Sequence, residues 1–166
     1  MDSQNTARKQ LLDRALALFE EAHDRQLSGQ LDDAVTLYTA SIELYPTAEA
    51  HTYLGGTYSS LGKLSEAIAE CQKAIAVDPD FGNPYNDIGA YLIELEKYDD
   101  AIPWLERALQ AARYEAYHLP WFNLGRAFAA KDHYGRALEC LRESLAQDPA
   151  YAPAHDAVSA IRLKIH

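Results

Sequence analysis

The sequence of 166 residues predicts an all-α chain built from repeated antiparallel helix pairs. Three observations carry this expectation. Alanines recur at Ala34, Ala67, Ala101 and Ala137, with spacings of 33, 34 and 36 residues. The apolar residues between them recur every three or four positions and never every two, which is the period of a helix face and not of a strand. Turn residues keep the same beat: Gly29 and Gly62 fall before second helices, and Pro46, Pro79 and Pro149 close units. A period near 34 residues marks a stacked array in which each unit buries its apolar face against the next.

The elements follow in order. Residues 1–14 read as an N-terminal extension of the first helix, residues 15–149 as four units (15–47, 48–81, 82–117 and 118–149), and residues 150–166 as a capping helix. In the second unit Leu54, Tyr58 and Leu61 share a helical face, Gly62-Lys63 breaks it, and Leu64, Ala67, Ile68, Cys71, Ala74 and Ile75 resume it up to Asp78-Pro79. Pro84, Pro120 and Pro153 open later helices, where a missing N–H is harmless, and Asn83 is the expected N-cap before Pro84. Pro103 lies early in a second helix and is expected to remove one hydrogen bond without breaking it. The extra residues between Ala101 and Ala137 fall around 113–117, which predicts a lengthened helix or an altered angle there. Ala154, Ala157, Val158, Ile161 and Ile165 form one stripe on the capping helix, for nine helices in all.

These units resemble the tetratricopeptide repeat (TPR) family, whose signature is a large residue, Leu-Gly, an aromatic, Ala, a bulky residue and Pro. The fourth unit carries it as Trp121, Leu124-Gly125, Phe128, Ala137, Leu141 and Pro149. The third has Tyr85, Ile88-Gly89, Leu92, Ala101 and Leu105, with Arg113 in place of proline. The second has Leu54-Gly55, Tyr58, Ala67 and Pro79, with His51 and Cys71 at the bulky positions. The first keeps Leu18, Ala22, Ala34, Tyr38 and Pro46, but has Glu21 and Arg25 where apolar residues are usual. The resemblance implies a right-handed superhelical solenoid.

Composition narrows the function classes. With 15 basic against 25 acidic residues the net charge is −10, which disfavours nucleic acid and anionic membrane as partners. No apolar stretch is long enough to insert into a membrane. Cys71 and Cys140 read as small core residues and suit a reducing cytoplasm, which is the expected location. No nucleophile elbow, phosphate loop, dinucleotide fingerprint or HExxH motif occurs. His23, His51, His118, His133, His155 and His166 are scattered, and a packed His51–Cys71 contact supplies too few ligands for zinc. The expectation is no enzyme, no cofactor and no metal.

The resemblance implies that first helices line a concave face on which peptides lie. Carried over residue by residue, it gives Phe19 and His23 in the first unit and Thr52, Tyr53 and Gly56 in the second. The third unit supplies Asn83, Asn86, Asp87 and Ala90, and the fourth Phe122, Asn123 and Arg126. Asn86 and Asn123 would bond a peptide backbone, Arg126 would hold a carboxylate, and Phe19 and Phe122 would anchor apolar side chains. The basic clamp with which chaperone-binding relatives grip a terminal carboxylate is not matched, because Phe19, His23, Tyr53, Asn83 and Asp87 stand at its positions. The expected function is a non-catalytic protein–protein interaction adaptor. The alternative is a structural assembly protein that self-associates through its end faces or through the second apolar stripe of the first helix, Leu12, Leu16 and Phe19.

Overall fold

The computed structural model describes residues 2–165; Met1 and His166, the outer ends of the predicted extension and cap, lie outside the described residues. It divides into two compact units, one ending at Pro79 and the other beginning at Asp80. The first holds α1 (Asp2–Leu27), α2 (Leu31–Leu44), α3 (Ala48–Ser60) and α4 (Leu64–Val77). The second holds α5 (Asn83–Glu94), α6 (Tyr98–Gln110), α7 (His118–Ala130), α8 (Tyr134–Gln147) and α9 (Ala152–Lys164). Among the described residues these nine helices are the only helices, and one isolated bridge pairs Phe81 with Arg113. The architecture is an all-α solenoid of antiparallel helix pairs.

The repeat works through size. Ala34, Ala67, Ala101 and Ala137 are all fully buried, one on each second helix. Small residues on the first helices let those second helices close in. A Cβ placed on Gly89 would sit 2.5 Å from Leu105 Cγ, and one on Gly125 would sit 2.8 Å from Leu141 Cγ. On Gly55 it would meet the Ala67 carbonyl oxygen at 3.0 Å and Cys71 Sγ at 3.1 Å. Leu105 and Leu141 are themselves fully buried, so the glycines are the sockets into which they pack. In the N-terminal unit the same packing gathers Ala22, Ala34, Tyr38 and Leu54, with Phe19, Val35 and Tyr58 around them.

Two polar devices tie the pairs and escape a reading of apolar periodicity. The buried Ser41 hydroxyl donates to the Ala15 carbonyl at 2.7 Å, and Ser144 donates to the His118 carbonyl at 2.8 Å. In the second pair, buried His51 meets Glu70 Oε2 through Nδ1 at 2.7 Å, and Lys73 donates to Glu70 Oε1 at 2.6 Å. Burial raises the pKa of the Glu70 carboxyl, but the hydrogen bonds from His51 and Lys73, together with their charge, outweigh it and hold the group below its ordinary value.

Three local expectations are corrected. The segment after α6 is not a lengthened helix: α6 ends at Gln110 and α7 begins at His118, leaving an irregular connection. That connection is pinned to the start of α5, where the Arg113 N–H donates to the Asp80 carbonyl at 2.9 Å and the Gly82 N–H donates to the Arg113 carbonyl at 3.0 Å. The same pinning moves the cap of α5 one residue back. Gly82 occupies the N-cap, Asn83 is the first helical residue, and no side chain caps the helix. Pro120 is the third residue of α7 rather than its opening residue, still within the first turn, where an intrahelical N–H partner is not required. Helix α6 runs unbroken through Pro103, as the sequence predicts.

The turn inside each pair needs one residue in the left-handed region. Gly29 and Gly62 fill it with φ of 76° and 75°, and Glu96 and Asp132 fill it with φ of 59°. A side chain there costs about 1 kcal/mol relative to glycine. Glu96→Gly is therefore expected to stabilise the C-terminal unit by about 0.5 kcal/mol, after the added entropy of the unfolded chain is allowed for. Urea denaturation checks it, and a loss of stability would show that Glu96 makes a contact worth more than the strain.

Candidate functional site

Each unit carries its own cluster of the residues singled out above. In the N-terminal unit, Phe19 and His23 lie one turn apart on α1 and face α3. The Phe19 ring stands 5.2 Å from that of Tyr53, edge to face, and 5.5 Å from that of Tyr38. His23 meets Tyr53 edge-on at 5.1 Å. Tyr38 closes the bottom of the cluster: it is fully buried and its hydroxyl donates to Gln26 Oε1 at 2.8 Å. Burial, with the nearby Tyr53 phenol adding to it, drives the Tyr38 pKa well above its ordinary value, so this hydroxyl stays a donor. Among the described residues none hydrogen-bonds the buried His23 Nδ1. Tyr53 is the exposed member, at 37%. Gly56 is half-buried on α3. Thr52 is buried, and its hydroxyl donates to the Ala48 carbonyl of its own helix at 2.7 Å, so it presents no free hydroxyl.

In the C-terminal unit, α5 and α7 lie side by side, and their polar residues form a directed chain. Arg126 Nη1 donates to Asn123 Oδ1 at 3.1 Å. Asn123 Nδ2 donates to Asn86 Oδ1 at 3.0 Å, and Asn86 Nδ2 donates to Asp87 Oδ1 at 3.5 Å. The arginine can only donate, so it fixes which way both amides point. Asn86 and Asn123 are each 6% exposed. They bond each other, where the sequence reading offered both amides to a peptide backbone. Burial, opposed only in part by the Asn86 hydrogen bond, pushes the Asp87 carboxyl up to about 7.

Beside this chain, Phe122 is half-buried, packs edge-on against Tyr151 at 5.2 Å, and carries the Arg126 guanidinium over its ring at 5.8 Å. Arg126 also borders a recess of about 420 Å³ between α5, α7 and α9, lined by Ile93, Ala129, Ala157, Ala160 and Lys164. Ala90 is half-buried on α5. Asn83 is exposed and borders a different recess, of about 510 Å³, with Phe81, Tyr114 and Glu115. Reading the sequence missed Tyr114, Tyr151 and Lys164, which lie outside the first-helix frame. It also missed Glu70, which has the look of an ordinary surface acid. Among the described residues no three His, Cys, Asp or Glu side chains gather as a metal site. No described helix is long and apolar enough to cross a membrane.

Stacked helix pairs with small sockets on first helices and alanines on second helices define a helical-repeat protein. Models of the tetratricopeptide repeat match residues 48–81 and 80–150, and the chain belongs to that family. It is similar to the rice Protein SGT1 homolog, with 32% identity over 149 residues, covering 86% of this chain and 36% of that protein. It is also similar to the Arabidopsis thaliana Hsp70-Hsp90 organizing protein 2, with 29% identity over 92 residues, covering 55% of this chain and 16% of that protein. The chain thus spans about a third of one relative and a sixth of the other. Among solved structures, Pseudomonas aeruginosa PilF superposes with a TM-score of 0.84 at 22% identity, covering 95% of this chain and 70% of that one, and so shares the fold.

Proposed function

We propose that this chain is a non-catalytic adaptor that holds a peptide or protein segment against its first-helix faces. The observation that carries the reading is the C-terminal cluster. There a half-buried aromatic, Phe122, lies one turn from a partly open guanidinium, Arg126, which borders a recess lined by small and apolar residues together with Glu94, Glu96, Tyr98 and Tyr134. The orienting chain of buried amides behind them holds that geometry. An apolar anchor next to a fixed polar group is what a binding surface needs. Phe19, His23 and Tyr53 supply a second apolar face in the N-terminal unit, and Gly56 and Ala90 leave room for a bound backbone. A relative whose name describes it as organizing Hsp70 and Hsp90 supports a partner-binding role. The setting in this reading is the cytoplasm, supported by the buried Cys71 and Cys140, neither of which is in a disulfide among the described residues.

The test is affinity capture from source-cell lysate with wild-type chain beside a Phe122→Ala, Arg126→Ala variant. Asn86 and Asn123 are left intact, since each supports the other inside the unit. A partner retained by the wild type and reduced about tenfold or more by the variant is the expected result. Equal retention would move binding off this face. A second reading, self-association, is favoured by exposed apolar residues on α1 and at the α9 end: Leu11 at 41%, Leu16 at 45%, Leu163 at 83% and Ile165 at 49%. A sedimentation mass that rises with concentration would support it.

A further inference from the structure

We propose that Asp87 is a receiving group for a guanidinium, so that the segment bound by the C-terminal unit presents an arginine side chain to it. The inference rests on the adaptor reading above and names what that site selects.

Asp87 is half-buried on α5 and under-satisfied. A carboxylate accepts about four hydrogen bonds. Among the described residues this one receives a single hydrogen bond, the long 3.5 Å contact from Asn86. No cation reaches it directly. The Arg126 guanidinium is two amides away and bonded to Asn123. The chain from Arg126 turns its last N–H toward Asp87, which suits an anion there but falls short of compensating it. A half-buried carboxyl left without a counter-charge is a group that can take a donor.

The wall beside it is built specifically. The irregular connection after α6 brings in Tyr114, which is buried and close enough to Asp87 for the carboxylate to raise its phenol pKa further, after burial. Only a glycine at position 82 admits that ring: a Cβ there would lie 2.5 Å from Tyr114 Cβ. Tyr117 braces the ring edge-on at 5.4 Å. One turn before Asp87 on α5, Asn83 opens onto the recess of about 510 Å³ that Tyr114 and Glu115 also border. Arg113 borders the same recess, its guanidinium held over the Phe81 ring at 4.2 Å, and Asp87 lies one turn further along α5, outside that lining. A carboxylate with an aromatic wall beside it fits a planar cation. A guanidinium offers two parallel N–H groups to a carboxylate, stacks on aromatic faces and sheds water more readily than an ammonium. The acidic balance of the chain favours the approach of a basic segment.

The experiment selects random twelve-residue peptides, displayed on phage, against the immobilised full chain. Selected peptides are then measured by fluorescence anisotropy against wild type, Asp87→Asn and Phe122→Ala, each checked for folding by circular dichroism. The expected peptides share an arginine. Replacing it with neutral, near-isosteric citrulline should weaken binding to wild type about tenfold or more, and binding to Asp87→Asn less than about twofold. Peptides that lose affinity on Phe122→Ala, yet show the same citrulline effect on wild type and Asp87→Asn, would keep the binding face and overturn the role of Asp87. Lysine serving as well as arginine would overturn the preference for a guanidinium. Peptides indifferent to both variants, or no enrichment at all, would overturn the binding face and this inference with it.

Discussion

Gly89→Ala is expected to destabilise the C-terminal unit by about 2 kcal/mol, although alanine is the better helix former. Two effects oppose each other. Replacing a mid-helix glycine gains about 1 kcal/mol of propensity. Against that, the new Cβ lands 2.5 Å from Leu105 Cγ, well over 1 Å inside normal contact, and Leu105 is fully buried with no open side to rotate into. Overpacking of this kind typically costs 1–3 kcal/mol, and contact this close puts the cost at the upper end or beyond. The order of effects is a sharper check than the magnitude: Gly89→Ala should exceed Gly125→Ala, which should exceed Gly55→Ala, following Cβ distances of 2.5, 2.8 and 3.1 Å to Leu105 Cγ, Leu141 Cγ and Cys71 Sγ on the second helices. Both tryptophans, Trp104 and Trp121, lie in the C-terminal unit, so their fluorescence in urea reports on that unit alone. Adding Leu105→Ala to Gly89→Ala should cost less than the sum of the two, because the cavity of one relieves the clash of the other. Strict additivity would show that Leu105 is not what Gly89 accommodates.

That socket also explains how much of the fold was legible. Each helix pair is specified by side-chain size at a few fixed positions, and size is written directly in the residue names. Ala34, Ala67, Ala101 and Ala137 therefore predicted their own burial, and the glycines of the first helices predicted close approach. What was not legible is what departs from the repeat. The residues around 113–117 have no counterpart in the other units, so no register could be carried over. Their conformation is set by backbone hydrogen bonds to Asp80 and Gly82, more than thirty residues away. An added length of chain was readable there, but its use as a wall beside α5 was not.

The candidate site shows the same division. The family frame put Asn86, Asp87, Asn123 and Arg126 on one face, and the structure brings these four together. Their roles depend on distance, which a single-helix pattern lacks. Asn123 stands at the register of Asp87, one repeat on, and Asn86 one position before it, so nothing in the pattern says the two amides bond each other. Thr52 shows the converse: its position faced the right way, but its hydroxyl is taken up by the Ala48 carbonyl. His51 reads as an oddity at a bulky position until Glu70 is seen 2.7 Å away. Polar pairing across helices leaves little periodic trace, whereas apolar packing leaves a strong one.

The most direct physical consequence of the site concerns pH. The Asp87 carboxyl titrates near 7 in the folded chain and near 3.8 when unfolded. Between those values the native state holds a proton that the unfolded state has released. The slope of stability against pH follows the protons bound in the unfolded state minus those in the native state, which is negative here. This group therefore subtracts stability as pH rises from about 4 to about 7, and the loss is complete above that. Asp87→Asn removes the titration while keeping the shape. The variant should match wild type near pH 4 and exceed it at pH 8 by on the order of 2 kcal/mol, a figure reduced from the full shift because the carboxyl is partly open to water. Tyr114, which feels the Asp87 charge, sits above its ordinary value, raised first by burial and then by Asp87 itself. Urea midpoints followed by tryptophan fluorescence at several pH values between 4 and 8 give the curve. A difference that grows with pH identifies an uncompensated buried carboxylate. Parallel curves for the two chains would mean that water or an undetected donor already satisfies Asp87, and the group would then have no unmet charge to offer a partner.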